Sequence, residues 1–117
     1  MKNRPFTIRV RAAIAGIKGA WRSEASFRAQ LVLGGLAIAG LALLRPSLHW
    51  WAIFVVIIAA TLAIELVNTA LEHVVDRLHP EVHPLIRIAK DCAAGAVLIM
   101  SLGALLVLGL FLYHRFG

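Results

Sequence analysis

The stretch ELVNTALEHVVDR, Glu65 to Arg77, closes an apolar run that includes Ile53, Phe54, Val55, Val56, Ile57 and Ile58. Each residue of a helix advances about 100°, so residues at offsets of 3, 7 and 11 share a face. Asn68, Glu72 and Asp76 stand at those offsets from Glu65. Three carboxylates and an amide therefore form one stripe on a helix otherwise suited to lipid. Acids in such a segment are costly, and they face protein or a water-filled cavity. Two readings follow from the residues alone. The stripe is a functional site, or it is polar glue between helices or part of an ion path.

The composition around this stretch fixes the class. The 117 residues are 61% hydrophobic, with mean hydropathy +0.85, well above a soluble domain of this size. They have room for one domain, spanning 1–117. Net charge is +6. Lys2, Arg4, Arg9, Arg11, Lys18, Arg22 and Arg28 precede the first long apolar run, opposed only by Glu24. Basic residues beside a membrane span mark the cytoplasmic side and anionic lipid, a better account than nucleic acid. The first apolar run begins near Leu31 without a convincing cleavage site, so no signal peptide is expected. Cys92 is alone, which excludes an intrachain disulfide and a cysteine metal cluster. All six acids fall between Glu24 and Asp91. Their concentration near the expected cytoplasmic helix ends suggests one site.

Working outward, the segment at about 5–21 carries an apolar face of Phe6, Val10, Ile14, Ile17 and Trp21. Arg4, Arg11, Lys18 and Arg22 form its basic face, the pattern of a helix lying in the membrane surface. Ser23 is the expected N-cap of the next helix. A first span is expected at about 25–44, with Gly35 and Ala39 at the spacing that lets helices approach closely. Arg45 and Pro46 end it. Trp50 and Trp51 read as interfacial residues that open a second span at about 50–75. His79 to Lys90 reads as a polar connection containing Pro80 and Pro84. His79 and His83 read as solvated loop residues, since no Cys or HExxH context supports zinc. The uncharged run from Cys92 to Tyr113 is a third span, at about 92–113. The expected fold is all-α: three transmembrane helices plus an amphipathic surface helix. Three crossings put Glu24, Glu72, Asp76, Lys90 and Asp91 at the same membrane face.

Carboxylates at that face suit Mg²⁺, which takes oxygen ligands together with substrate phosphates. A lysine can neutralise phosphate charge. Glu65 lies deeper, between Ile64 and Leu66, where it is a candidate general base for a lipid hydroxyl. The combination fits phosphoryl transfer from a nucleotide to a lipid alcohol. No Walker A sequence and no protein-kinase glycine loop is present, so the nucleotide site is of another design.

Three segments carry a family resemblance: RSEASFR at Arg22–Arg28, ELVNTALEHVVDR at Glu65–Arg77 and HPLIRIAKDCAAGAVL at His83–Leu98. The chain resembles the prokaryotic diacylglycerol kinases, small membrane lipid kinases, from about Arg9 to its end. The resemblance implies a homotrimer with sites shared between subunits in the cytoplasmic (inner) membrane. It also implies transfer of the ATP γ-phosphate to a lipid hydroxyl with Mg²⁺. By motif, Glu65 matches the catalytic base, and Glu24 and Glu72 the metal-binding glutamates. Asn68, Asp76, Lys90 and Asp91 match the polar residues around nucleotide and substrate. The segment before Trp21 is shorter than in the best-known members and holds no tyrosine, so no nucleotide contact is carried over to Arg9–Lys18. The family includes diacylglycerol and undecaprenol kinases. Trp21 and RSEASFR favour diacylglycerol, whereas HPLIRIAKDCAAGAVL is closer to the undecaprenol branch. A non-enzymatic membrane subunit or proton path is the reading from another class.

Overall fold

The structure, a computed structural model, describes residues 3–117; Lys2, counted above among the basic residues, lies outside them. Among the described residues there are four helices: α1 (Phe6–Ser23), α2 (Ala25–Leu44), α3 (Leu48–Leu78) and α4 (Pro84–Phe116). The last three are long and apolar enough to cross a membrane, so the chain is a multi-pass helical membrane protein. At 1.5 Å per residue, the 31 residues of α3 extend about 46 Å, beyond the ~30 Å hydrocarbon layer. The polar end of α3 therefore has length to emerge from that layer.

The helix boundaries correct several expectations. Ser23 is the last residue of α1 rather than a cap. Its hydroxyl donates back to the Gly19 carbonyl at 2.9 Å, so α1 itself satisfies it. Glu24, with extended backbone at φ −119° and ψ 109°, is the joint between α1 and α2. The expected polar connection after α3 is shorter than its sequence suggests, because α4 already begins at Pro84. Proline at a first helical position lacks only an N–H that would be unpaired there, and its φ is already helical. His83 is not a free loop residue: its Nδ1 accepts from the Leu85 N–H at 3.1 Å and caps α4. Arg45 ends α2 in the left-handed region, at φ 50° and ψ 57°, with Pro46 behind it.

The chain's own core lies at the end of the bundle near this turn. Leu41, Phe54 and Phe111 are buried together, with Leu44, Trp50, Trp51, Ile58 and Val107 around them. Trp50 and Phe111 meet edge to face at 5.0 Å, and Phe54 and Phe111 at 5.5 Å, separations that suit aromatic pairs. Trp50 thus packs α3 on α4, a role its interfacial reading did not include. Deeper in the bundle, Gly34 is the close-packing residue of α2. A Cβ there would lie 2.9 Å from Ile58 Cγ2, whereas one at Gly35 would meet nothing within 4 Å. Gly35 and Ala39 face away from the chain's other helices. The expected small-residue contact therefore falls one position earlier within the subunit.

Candidate functional site

At the opposite end of the bundle α1 packs against α2 and α3, and α3 against α4. These contacts gather polar residues from the α1–α2 joint and from α2, α3 and α4. Glu65 is 3% exposed, although its helix is largely apolar. The Ser26 hydroxyl, in the first turn of α2, donates to Glu65 Oε2 at 3.1 Å. A buried carboxylate needs such partners, because desolvation is otherwise uncompensated.

One turn further along α3, Asn68 Nδ2 donates to Glu72 Oε1 at 3.5 Å, the long limit of a hydrogen bond. Asn68 Oδ1 is buried and has no partner among the described residues. Such a group tends to be explained by function or by a solvent or ion contact. Glu24, at the α1–α2 joint, reaches α3 through His73, whose Nε2 lies 3.5 Å from Glu24 Oε1. His73 follows Glu72 on α3, about 100° further round the helix, so Glu24 meets α3 at the level of Glu72 but on the adjacent face. Nearer the helix ends, Lys90 of α4 donates to Asp76 Oδ1 of α3. Asp76, Glu81, Arg87, Lys90 and Asp91 line a cleft of about 310 Å³ between α3 and α4.

The residues singled out in the sequence thus fall at two levels. Glu65 is deep and held by Ser26; Asp76, Lys90 and Asp91 line the open cleft; Asn68, Glu72 and Glu24 lie between. Among the described residues, no three His, Cys, Asp or Glu side chains converge as a ready-made metal cage. Mg²⁺ does not require one, since it commonly takes one or two carboxylates plus phosphate oxygens and water. Glu24, Glu72 and Asn68 each carry oxygen atoms of the kind Mg²⁺ takes, that of Asn68 being without a partner among the described residues.

Two residues here escaped the sequence reading. Ser26 lies within RSEASFR but carries no charge to mark it, and His73 lies beside the stripe rather than on it. Helical register gave no signal for them: Ser26 is two residues past Glu24 and His73 one past Glu72, offsets that do not share a helix face.

Fold and site define a multi-pass helical membrane protein with a stripe of carboxylates and amide at one end of its spans. The family model described as prokaryotic diacylglycerol kinase matches residues 11–112, and the chain belongs to that family. It is 41% identical over 107 residues to a diacylglycerol kinase of Synechocystis sp., covering 87% of this chain and 59% of that protein. The chain thus spans less than two thirds of that relative's length. Identity to the undecaprenol kinase of Bacillus subtilis is 34% over 87 residues, covering 72% of this chain and 71% of the relative. Identity to the diacylglycerol kinase of Escherichia coli K12 is 32% over 102 residues, covering 87% and 84%.

Proposed function

We propose that the protein is an ATP-dependent membrane lipid kinase, with diacylglycerol as its substrate and phosphatidic acid as its product. The observation that carries this reading is the two-level arrangement of the site. A buried carboxylate, Glu65, lies within a span, and a charged cleft containing Lys90 lies at the helix ends. A lipid hydroxyl approaching from the bilayer and a nucleotide approaching from water meet between these levels.

Glu65 accepts the proton of the lipid hydroxyl as its oxygen bonds to the γ-phosphorus; the bond from that phosphorus to the bridging oxygen of ATP breaks, and ADP leaves. Lys90 offsets phosphate charge, while Asn68, Asp76 and Asp91 orient the nucleotide. Glu24 and Glu72 would hold Mg²⁺, which would supply positive charge against the phosphate oxygens. The basic amino-terminal segment keeps this site on the cytoplasmic face of the inner membrane. The working form is a homotrimer with sites shared between neighbouring subunits.

Diacylglycerol is favoured by Trp21 and RSEASFR, and by the names of the Synechocystis and Escherichia coli relatives. The Bacillus subtilis relative supports undecaprenol as the second reading. Incubation of purified protein with γ-labelled ATP and each lipid in mixed micelles separates them. The expected result is faster labelling of diacylglycerol. Faster labelling of undecaprenol would select the second reading, and labelling of neither would support a non-enzymatic subunit or proton path.

A further inference from the structure

We infer that Ser26 is a positioning residue for Glu65, and that its hydroxyl reserves Oε1 as the oxygen that receives the substrate proton. The inference rests on the reading of Glu65 as the proton acceptor.

A serine with a helical turn behind it has a local alternative: its hydroxyl can bond a backbone carbonyl three or four residues earlier. Ser23 does this, donating to Gly19 O. Ser26 does not. Glu24, with extended backbone, breaks the helix two residues before it, so no helical turn lies behind Ser26; the Arg22 carbonyl accepts from Arg28 Nη1 at 3.2 Å, and the same nitrogen donates to Trp21 O at 2.8 Å. Arg28 therefore ties down the carbonyls at the end of α1, and the Ser26 hydroxyl crosses to α3 and Glu65 Oε2. The start of α2, the positive end of its dipole, is also the end that favours a nearby carboxylate.

The consequence is a choice between two otherwise equivalent oxygens. A free glutamate side chain rotates about three bonds and presents either oxygen. With Oε2 held by a donor from another helix, the carboxylate is fixed and Oε1 remains to accept the proton. Ser26 can keep donating to Oε2 after Oε1 is protonated, because Oε2 is then a carbonyl oxygen with free lone pairs. No proton passes through Ser26, and the balance of the transfer is unchanged.

The test uses the full chain in mixed micelles, comparing Ser26→Ala and Ser26→Thr with the unaltered protein, each also combined with Glu65→Gln. Ser26→Ala should lower kcat about tenfold, within the range expected for losing one hydrogen bond to a charged group. KM for Mg–ATP and for lipid should stay within about twofold, and Ser26→Thr should restore most of the rate. In the Glu65→Gln background, Ser26→Ala should add no further loss, since residues that act as a unit are not additive. If Ser26→Ala fails to assemble, Ser26→Cys, near in shape with a weak donor, should give an intermediate kcat. Full turnover in Ser26→Ala, or an equal further loss in the Glu65→Gln background, would overturn the inference while leaving Glu65 as base. Near-normal turnover in Glu65→Gln alone would remove the base reading and this inference with it.

Discussion

Lys90 and Asp76, fourteen residues apart in sequence, close the turn between α4 and α3 with an ion pair. Their side chains are 39% and 62% exposed. An exposed pair contributes at most about 1 kcal/mol to stability, so its placement in the charged cleft matters more than its strength. Lys90→Met should leave the thermal unfolding midpoint nearly unchanged and raise KM for Mg–ATP about tenfold, the effect of removing a contact worth about 1.4 kcal/mol. Nucleotide titration and thermal unfolding of the same preparation check this. A parallel loss of stability and affinity would mark the pair as structural only.

The two glutamates of the stripe should respond differently to the same substitution. Glu65 and Glu72 are seven residues apart, about 10 Å along the helix, and Glu65 is the more buried. Glu72→Gln should weaken Mg–ATP binding, and raised Mg²⁺ should recover part of the rate. Glu65→Gln should leave that binding near normal and lower turnover by about 10²-fold or more, with no recovery at high Mg²⁺. Turnover and nucleotide affinity on correctly assembled protein decide the matter. Equal losses that follow loss of assembly would instead indicate that both residues serve packing.

Neighbouring glycines in α2 should also diverge. Alanine at either position gains helix propensity of up to about 1 kcal/mol over glycine. At Gly34 the new Cβ would lie 2.9 Å from Ile58 Cγ2, a branch methyl that cannot swing away freely. Overpacking of that kind costs about 1–3 kcal/mol. Gly34→Ala should therefore unfold at lower temperature than Gly35→Ala, and Ile58→Ala should reduce the difference. Thermal unfolding of the four proteins in one detergent tests this. Indistinguishable midpoints for the two alanine variants would refute the close α2–α3 contact.

The proposed sharing of sites has its own test. Within the chain, only 17%, 17% and 6% of the most apolar windows of α2, α3 and α4 are buried, leaving surface for lipid and for neighbouring subunits. Subunits inactivated by Glu24→Ala and by Glu65→Gln should regain part of the activity when mixed before assembly. No recovery at any ratio, with mixed oligomers demonstrated, would exclude sites built from Glu24 of one subunit and Glu65 of another.

Much of this was legible in the sequence because the membrane imposes strong patterns. A lipid-facing helix must be apolar along its length, so Leu31–Leu44 and Cys92–Tyr113 declare themselves, and the acids of ELVNTALEHVVDR stand out against that background. Helical periodicity alone aligned Glu65, Asn68, Glu72 and Asp76. What periodicity carries no information about is the partner on another helix. That Ser26 reaches Glu65 on α3 while Ser23 bonds back to Gly19 depends on the break between α1 and α2 at Glu24. That Gly34 rather than Gly35 meets Ile58 depends on the rotation of α2 about its axis. That His83 caps α4, turning an apparent loop into two more turns of helix, depends on one side-chain hydrogen bond. The sequence alone determined the spans and the acidic face, because burial in lipid acts on each helix separately. Only the tertiary structure decided which side chains meet across helices, because those contacts depend on relative rotation and depth.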